Sequence, residues 1–92
     1  MPYVYILASQ KNGTLYTGVT RELKKRIYEH KNDLAKGFTS RYQVHMLVYY
    51  AVYEDMLTAI TSEKKLKNVR RKTKLALIEA FNPEWRDLYR EI

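Results

Sequence analysis

The chain has 92 residues, of which 46% are hydrophobic, and this is enough for one compact core and too little for two domains. We therefore predict a single domain, residues 1–92. It carries 17 Lys and Arg against 10 Asp and Glu, and the formal charge of +7 at pH 7 favours partners such as nucleic acid or an anionic membrane face. The absence of cysteine excludes a disulfide scaffold and a thiolate zinc site. The lack of a long apolar run favours a cytoplasmic protein.

The first predicted element is a β-strand at residues 3–7, YVYIL, a β-branched and aromatic run of strand length. Because alternate side chains of a strand face opposite ways, Tyr3, Tyr5 and Leu7 should share one face. The polar segment that follows ends in Asn12 and Gly13, a dipeptide that supplies the positive φ angles of a hairpin connection. We therefore expect the next strand to return antiparallel to the first.

A second strand is predicted at residues 15–20, LYTGVT, with Tyr16 and Gly18 on one face. A glycine inside a strand often marks the close approach of another group, so this face combines a tyrosine with an open position. Thr20 is a suitable N-cap for a helix over residues 21–31, because its hydroxyl can accept a hydrogen bond from a free backbone amide. The chain should therefore pass directly from the hairpin into a helix.

The predicted helix over residues 21–31 is strongly basic and has one apolar stripe. At about 100° per residue, Leu23 and Ile27 define the buried side, and Arg26 and His30 lie along its flank. These two polar side chains should line the boundary between core and solvent. The remaining cations have the spacing of a solvated face: Lys24, Lys25 and Lys31.

Residues 32–43 show no regular pattern and indicate a loop. Two aromatic residues, Phe38 and Tyr42, are interleaved there with Lys36 and Arg41. A loop of about a dozen residues in so small a domain is often functional, and this segment could contact a ligand. The alternative is an ordinary crossover loop that is pinned by Phe38.

The longest apolar run, residues 44–53, predicts a third strand covered on both faces. Asp55 can cap the helix that follows, residues 56–68, and Glu63 falls near the middle of its apolar side. A carboxylate there should be partly buried and needs a partner. An ion pair with Lys67, four residues on, is the ordinary alternative to a functional role. The predicted apolar side consists of Met56, Leu57, Ala59, Ile60 and Leu66.

The densest basic run, residues 64–74, carries seven positive charges and no acid. It leads into a last helix, residues 73–81, which Asn82 and Pro83 end. The tail, with Trp85 and Leu88 among charged residues, should pack back on the core as a short helical turn. Together these elements predict an α/β (α+β) fold, a small three-stranded sheet, mixed or antiparallel, flanked by helices in the order β-β-α-β-α-α.

Four stretches in this order carry a resemblance to a known family: YVYIL, LYTGVT about ten residues on, LKKRIYEH, and a single glutamate in a later helix. The set resembles the GIY-YIG nuclease family, and the order of elements resembles that family's minimal domain over nearly the full chain. The chain looks closest to the small standalone bacterial members and is similar to the nuclease module of the bacterial excinuclease. It departs from the signature at Tyr3, Val4 and Thr17, which stand where the motif has Gly, Ile and Ile.

The resemblance implies a role for each residue that matches the family pattern. Gly18 is the glycine that lets backbone and substrate approach, and Glu63 is the single acidic metal ligand. The implied catalytic residues are Tyr5, Tyr16, Arg26 and His30. A further family asparagine matches Asn82 only loosely, and the role of Asn82 stays open.

The residue types also fit the chemistry of phosphodiester hydrolysis. A Mg²⁺ or Mn²⁺ held by Glu63 would supply Lewis acidity, and the fixed fork of donors on Arg26 suits the non-bridging phosphate oxygens. Tyr16 or Tyr5 could take the proton from water if nearby cations lower a phenol pKa that is otherwise about 10. His30 could share that proton or hydrogen-bond the tyrosine, and the sequence does not decide which group is the base.

Each of these residues also has a structural explanation. The two tyrosines can be a cross-strand packing pair, Arg26 and His30 can be polar groups that flank an amphipathic helix, and the basic run can be a solvated face. Two other functions therefore stay open beside catalysis. One is a binding module of the same fold that holds DNA or RNA without cutting it. The other is a structural or regulatory protein whose charge serves a protein partner.

The combined prediction is a metal-dependent DNA endonuclease with little sequence specificity of its own, because no second domain is present to read base edges. Branched or single-stranded DNA is the expected substrate, a protein partner could supply targeting, and no membrane is involved. The resemblance suggests a place in DNA repair or recombination. The residues expected to bind the DNA backbone are Arg41, Lys64, Lys67, Arg70 and Arg71.

Overall fold

The computed structural model describes all 92 residues and is built around a three-stranded sheet with the strand order β2-β1-β3. β1 (Tyr3–Ala8) lies between β2 (Leu15–Thr20) and β3 (Met46–Val52), and both pairings are antiparallel. The prediction of three strands is confirmed, and the sheet is antiparallel rather than mixed. The third strand is shorter than the predicted range 44–53.

Four helices and a final 3₁₀ turn accompany the sheet, and they are α1 (Leu23–Lys31), α2 (Phe38–Arg41), α3 (Met56–Asn68), α4 (Arg71–Phe81) and the turn Leu88–Glu91. The predicted order of elements is confirmed except that α2 lies within the segment predicted to be a loop. α3 has the predicted bounds, whereas α4 begins earlier than predicted. None of these helices combines the length and the apolar character needed to cross a membrane.

α1 ends at Lys31 as predicted, but its start and the role of Lys31 differ from the prediction. Glu22 is its N-cap, and the Thr20 hydroxyl accepts a hydrogen bond from the Glu22 N–H at 3.1 Å. Thr20 therefore stabilises the bend that precedes the helix, and the prediction that it caps the helix was wrong. At the other end, Lys31 is half-buried and pairs with Asp87, so it ties α1 to the C-terminal tail and is not part of a solvated face.

The turn between β1 and β2 uses its two central residues in different ways. Asn12 has a φ of 59°, as predicted, whereas Gly13 is not in the left-handed region. A Cβ at Gly13 would press on Ser9 and lie 2.8 Å from Gln10 Cγ, so those two side chains would have to shift to admit one. The prediction of positive φ angles is therefore confirmed for one residue of the dipeptide and wrong for the other.

The two faces of the sheet bury separate groups of apolar side chains. The face covered by α1 packs Tyr5, Leu7, Leu23, Ile27, Val44, Leu47 and Leu88. The opposite face packs Ile6, Ala8, Val48, Ile78 and Trp85. The alternation along β1 is the predicted one. Each group includes one residue of the C-terminal tail, so the predicted packing of the tail against the core is confirmed.

α3 begins at the predicted cap and buries a narrow side. Asp55 Oδ1 accepts a hydrogen bond from the Thr58 N–H at 2.8 Å. The buried residues of this helix are Ala59 and Glu63, one turn apart. Leu57 was predicted on the apolar side but is exposed, because a residue two positions from Ala59 lies about 200° around the helix from it.

Candidate active site

The candidate site begins with the pairing of β1 and β2, which places Tyr5 opposite Gly18. A Cβ at Gly18 would lie 2.5 Å from Cζ of Tyr5, which is closer than real Cβ contacts. Only glycine therefore lets the phenol cross over β2, and the predicted close approach at this position is confirmed. The sheet in this way fixes the position of the Tyr5 hydroxyl.

The Tyr5 hydroxyl belongs to a buried row of three hydrogen-bonded side chains. Tyr5 Oη lies 2.8 Å from His30 Nε2, and His30 Nδ1 lies 2.9 Å from Thr39 Oγ1. His30 is only 1% exposed, so the prediction that it lines the boundary between core and solvent was wrong. A buried imidazole needs a partner for each ring nitrogen, and β1 and α2 supply one each. We call Tyr5, His30 and Thr39 the buried row.

Burial sets the protonation of the buried row. Burial and, to a smaller extent, Tyr16 raise the pKa of Tyr5 to about 12. Burial and, to a smaller extent, the Arg26 cation lower the pKa of His30 to about 4. At neutral pH the phenol is therefore protonated and the imidazole is neutral. Tyr5 is consequently the poorer of the two tyrosines that the sequence offers as a general base.

Tyr16 lies beside the buried row but is only half-buried itself. Its ring centroid is 6.3 Å from that of Tyr5 and 5.5 Å from that of His30. Its hydroxyl makes no hydrogen bond within the protein, whereas that of Tyr5 is bonded to His30. The two tyrosines do pack as neighbours across the strands, as the structural explanation proposes. Only Tyr16, however, has a hydroxyl that is free to bind a water molecule.

Arg26 lies at the boundary between core and solvent, as predicted. Its Nη1 donates a hydrogen bond to Glu29 Oε1 at 3.1 Å, and the side chain is partly exposed. Burial acts against the charge on Arg26, but the neighbouring Tyr5 hydroxyl and Glu29 carboxylate raise its pKa overall. The guanidinium carries five N–H donors, so the pair with Glu29 leaves others for a bound anion. An ion pair with Glu29 is also what the structural explanation would give.

Glu63 is 7% exposed and forms an ion pair with Lys67, with 2.7 Å between Glu63 Oε2 and Lys67 Nζ. The predicted burial is confirmed, and the observed partner is the one that the ordinary alternative gives. The carboxylate adds slightly to the raised pKa of Tyr5, and the pKa of Lys67 is raised chiefly by its hydrogen bond to Glu63 and to a smaller extent by Tyr16. α3 therefore places the Glu63 carboxylate near the hydroxyls of Tyr5 and Tyr16. No group of three or more His, Cys, Asp or Glu side chains is clustered for metal binding.

The cations predicted to bind DNA divide into two kinds. Lys64 and Arg70 are exposed and form no ion pair. Lys67 pairs with the buried carboxylate, and Arg41 lies over the ring of Tyr42 with 5.7 Å from its guanidinium carbon to the ring centroid. Arg71 uses Nη2 to donate to Asn12 O at 2.7 Å and Gly13 O at 2.6 Å. The structure thus gives Arg71 a role in holding the β1–β2 turn against α4.

Two polar residues near the sheet have roles that the sequence left open or missed. Asn82 is buried, and its Nδ2 donates to Val48 O at 3.3 Å and Arg86 O at 2.8 Å, so it fixes the end of α4 to β3. Thr39 was not singled out, although it completes the buried row. The sequence signal that could have indicated a defined turn before α2 is Gly37. Its φ is 124°, a backbone conformation that other residues rarely adopt.

Several known proteins are similar to this chain over most of its length. The model of the GIY-YIG catalytic domain family matches residues 1–76, a range that includes Tyr5, Tyr16, Arg26, His30 and Glu63. A UPF0213 protein from Clostridium perfringens is 36% identical over 92 residues, which are 100% of this chain and 98% of the relative. A UPF0213 protein from Staphylococcus saprophyticus is 34% identical over 76 residues, which are 83% of this chain and 92% of the relative.

A solved structure also resembles this fold. The solution NMR structure of a UPF0213 protein from Bacillus halodurans superimposes with a TM-score of 0.57 at 27% sequence identity. The match covers 95% of this chain and 93% of the other. The matched region therefore includes the sheet and the helices that position the candidate site.

Proposed function

This chain belongs to the GIY-YIG family, a family of nucleases, and we propose that it is a metal-dependent endonuclease that hydrolyses phosphodiester bonds in DNA. One observation carries the proposal. Tyr16, Arg26 and Glu63 come from three different elements around Tyr5: the Tyr16 ring centroid lies 6.3 Å from that of Tyr5, Arg26 is on the helix whose His30 bonds to the Tyr5 hydroxyl, and Glu63 is a buried residue of α3. The effects of all three on the pKa of Tyr5 agree with this arrangement. A free phenol, a cation and a carboxylate in one place suit the activation of water beside a phosphate.

Arg26 is proposed to bind the phosphate that is cut. Its partly exposed guanidinium can donate two parallel hydrogen bonds to non-bridging oxygens, and these bonds strengthen as negative charge grows in the transition state. Glu29 keeps the side chain oriented before substrate binds. The proposal therefore gives Arg26 the largest share of the electrostatic work.

Tyr16 is proposed to hold the attacking water and, in its deprotonated form, to take one proton from that water at Oη, so that hydroxide attacks the phosphorus and the phenol is regenerated. Its hydroxyl is free, and Lys67 places a positive charge nearby where the water loses its proton. Tyr5 and His30, by contrast, are proposed to position Tyr16 and Arg26, because both are buried and are hydrogen-bonded to each other. This assignment selects Tyr16 from the two tyrosines that the sequence left open.

Glu63 is the residue that would hold a divalent cation, Mg²⁺ or Mn²⁺, which supplies Lewis acidity when bound. The donor set fits such an ion, since one buried carboxylate suits a cation that keeps several waters and completes its shell with substrate phosphate. The counter-ion Lys67 is about half exposed and on a flexible stem, so it can release the carboxylate. We accordingly expect metal affinity to be weak without DNA.

The remaining parts of the proposal concern the substrate and the setting. Arg41, Lys64 and Arg70 are expected to bind the phosphate backbone, which fixes position but not sequence. We therefore propose low sequence specificity, DNA with branched or single-stranded structure as substrate, a cytoplasmic role in repair or recombination, and targeting by a protein partner. We also propose that residues 1–92 act as one domain, because Trp85 and Leu88, beyond the matched range, are buried against the sheet.

A second candidate function is a module that binds DNA or RNA without cutting it. The observation that favours it is the 2.7 Å pair between Glu63 and Lys67, which neutralises the carboxylate that is proposed to hold the metal. A permanent pair of this kind would leave the site without its cation. The two functions differ in whether Lys67 moves aside.

The test is nicking of supercoiled plasmid DNA with Mg²⁺ or Mn²⁺ by the wild type, Arg26→Ala and Glu63→Gln. Arg21→Ala and Glu54→Ala are matched controls, because both side chains are exposed and form no ion pair. The proposal expects metal-dependent nicking that is lost in the two site variants and kept in the two controls. Nicking that survives in Arg26→Ala and Glu63→Gln would contradict the assigned site. Salt-sensitive DNA binding without nicking would favour the binding module.

A further inference from the structure

The outer side of α2 presents aromatic rings that remain about half exposed. Phe38 is 45% exposed and Tyr42, directly after the helix, is 50% exposed, and their ring centroids lie 4.8 Å apart. Phe38 also stacks on Tyr16, with centroids 6.0 Å apart and planes inclined by 28°. Arg41 lies over the Tyr42 ring. We call Tyr16, Phe38, Tyr42 and Arg41 the aromatic platform.

The buried side of α2 fixes the aromatic platform to the candidate site. Thr39, between Phe38 and the rest of α2, is buried and bonds to His30 Nδ1, and its carbonyl accepts the Val44 N–H at 2.9 Å. Ser40 Oγ bonds to the backbone of Gly37, which holds the start of the helix. One side of α2 is therefore part of the buried row, and the other side carries rings that the core does not use.

The chemistry of the aromatic platform matches an unpaired nucleotide. Flat rings stack on bases, and an adjacent guanidinium can serve both a base face and a phosphate. Inside a duplex, both faces of a base are covered by its neighbours, so only an unpaired or unstacked base has a free face to offer. The net charge of +7 favours a polyanion over an apolar peptide on this exposed surface.

We propose that the aromatic platform binds an unpaired base next to the phosphodiester that is cut, so that DNA with a single-stranded segment is the preferred ligand. The position follows from Tyr16, which belongs both to the platform and to the candidate site. The inference rests on the proposed function in taking DNA as the ligand. It deepens the single-stranded substrate proposed above by naming the residues that select an unpaired base.

The test measures DNA binding by fluorescence anisotropy in EDTA, with a labelled single strand and with the same strand fully paired. The variants are Phe38→Ala, Tyr42→Ala and Tyr42→Phe, and the matched control is Tyr28→Ala, an exposed tyrosine on α1 with 52% exposure and no aromatic neighbour. Affinity for the single strand should fall about 5- to 100-fold in each alanine variant. It should stay at the wild-type value in Tyr42→Phe, which keeps the ring, and in Tyr28→Ala. Affinity for the duplex should change less than about twofold.

Two results would overturn the inference. In the first, Phe38→Ala and Tyr42→Ala bind the single strand as tightly as the wild type does. In the second, these variants lose equal affinity for the single strand and for the duplex. Because binding is measured without divalent cations, the outcome is separate from that of the nicking assay. A protein that never cuts but binds single strands through Phe38 and Tyr42 refutes only the proposed function. A protein that cuts DNA, and whose single-strand affinity is unchanged in Phe38→Ala and Tyr42→Ala, refutes only this inference.

Discussion

Tyr5 and Tyr16 stand on neighbouring strands of the same sheet face, with ring centroids 6.3 Å apart, yet their hydroxyls have different surroundings. The Tyr5 hydroxyl is buried and bonded to His30, and its pKa is raised to about 12, chiefly by burial. The Tyr16 hydroxyl has no partner within the protein and lies at the surface edge of the site. Identical side chains thus have one hydroxyl that is buried and bonded and one that can contact water.

The same division extends to the residues around the two phenols. The buried row occupies the interior, where each polar atom is satisfied by another side chain. Tyr16 and Arg26 are half-exposed, and the buried Glu63 is balanced by the exposed Lys67. Removing a buried partner should therefore cost mainly stability, because it leaves an unsatisfied group. Removing a half-exposed group, such as the Tyr16 hydroxyl or the Arg26 guanidinium, should cost mainly activity.

The largest expected effect comes from removing the Tyr16 hydroxyl. Tyr16→Phe should lower the nicking rate by about 10²- to 10⁴-fold, the usual contribution of a general acid or base. Its free energy of unfolding should stay within about 0.5 kcal/mol of the wild type, because that hydroxyl makes no bond in the protein. Plasmid nicking and urea unfolding of the same preparation measure both quantities.

Tyr5→Phe is the matched variant for that experiment and should behave in the opposite way. It leaves His30 Nε2 buried without a partner, which should lower the free energy of unfolding by about 1 to 3 kcal/mol. Its loss of nicking rate should be smaller than that of Tyr16→Phe. If Tyr5→Phe abolishes nicking while Tyr16→Phe retains it, the assignment of the two phenols is reversed.

The residues in this comparison also show how far the sequence alone could lead. The hairpin, the Tyr16 and Gly18 face and the burial of Glu63 follow from strand alternation and helix periodicity, which are local patterns. His30 could not be placed correctly, because its burial depends on Thr39 from a four-residue helix that has no periodic signal. The stacking of Phe38 on Tyr16 is likewise a tertiary contact. Local patterns therefore predicted the face of its own element on which each residue lies, whereas contacts between elements, such as those of His30 and Phe38, could not be predicted.

A substitution at Gly18 tests whether the sheet itself positions the Tyr5 hydroxyl. A strand glycine replaced by alanine normally gains about 0.5 to 1 kcal/mol, because the unfolded chain loses freedom. Gly18→Ala should instead lower the free energy of unfolding by about 1 to 3 kcal/mol, since the new Cβ would lie 2.5 Å from Cζ of Tyr5. Urea unfolding measures the sign, and a stabilised variant would contradict the close approach.

The pH dependence of stability tests the neutral state of His30. The pKa of His30 is about 4 in the folded protein and 6.5 as the ordinary value. Above both values neither state binds the proton, and between them only the unfolded chain does, so stability should fall as the pH is lowered. The loss due to His30 should reach about 2 kcal/mol by about pH 5 and level off below the folded pKa. Urea unfolding between about pH 7 and pH 5 measures it.

Two substitutions separate this effect from other titrations. His30→Gln cannot titrate, so its stability should change by about 2 kcal/mol less than that of the wild type over the same pH range. His45, the second histidine, lies 2.8 Å from Asp33 Oδ1 at the surface, and His45→Gln should keep the acid-side loss. An acid-side loss that His30→Gln retains in full would place the titrating group elsewhere.

Arg70 and Arg71 extend the comparison to the basic surface, with the smallest expected effects. Arg71→Ala removes two hydrogen bonds to the β1–β2 turn and should lower the free energy of unfolding by about 1 kcal/mol. Arg70→Ala should leave stability unchanged, because Arg70 is exposed and pairs with nothing, but it should weaken DNA binding and reduce the salt slope by about one unit. Adjacent arginines would then differ as the two tyrosines do, because donors already bonded within the protein are not free for a phosphate. If both variants lost DNA binding equally and kept the stability of the wild type, Arg71 would be free to bind DNA like Arg70. The difference between bonded and free groups would then hold for the two tyrosines and not for the two arginines.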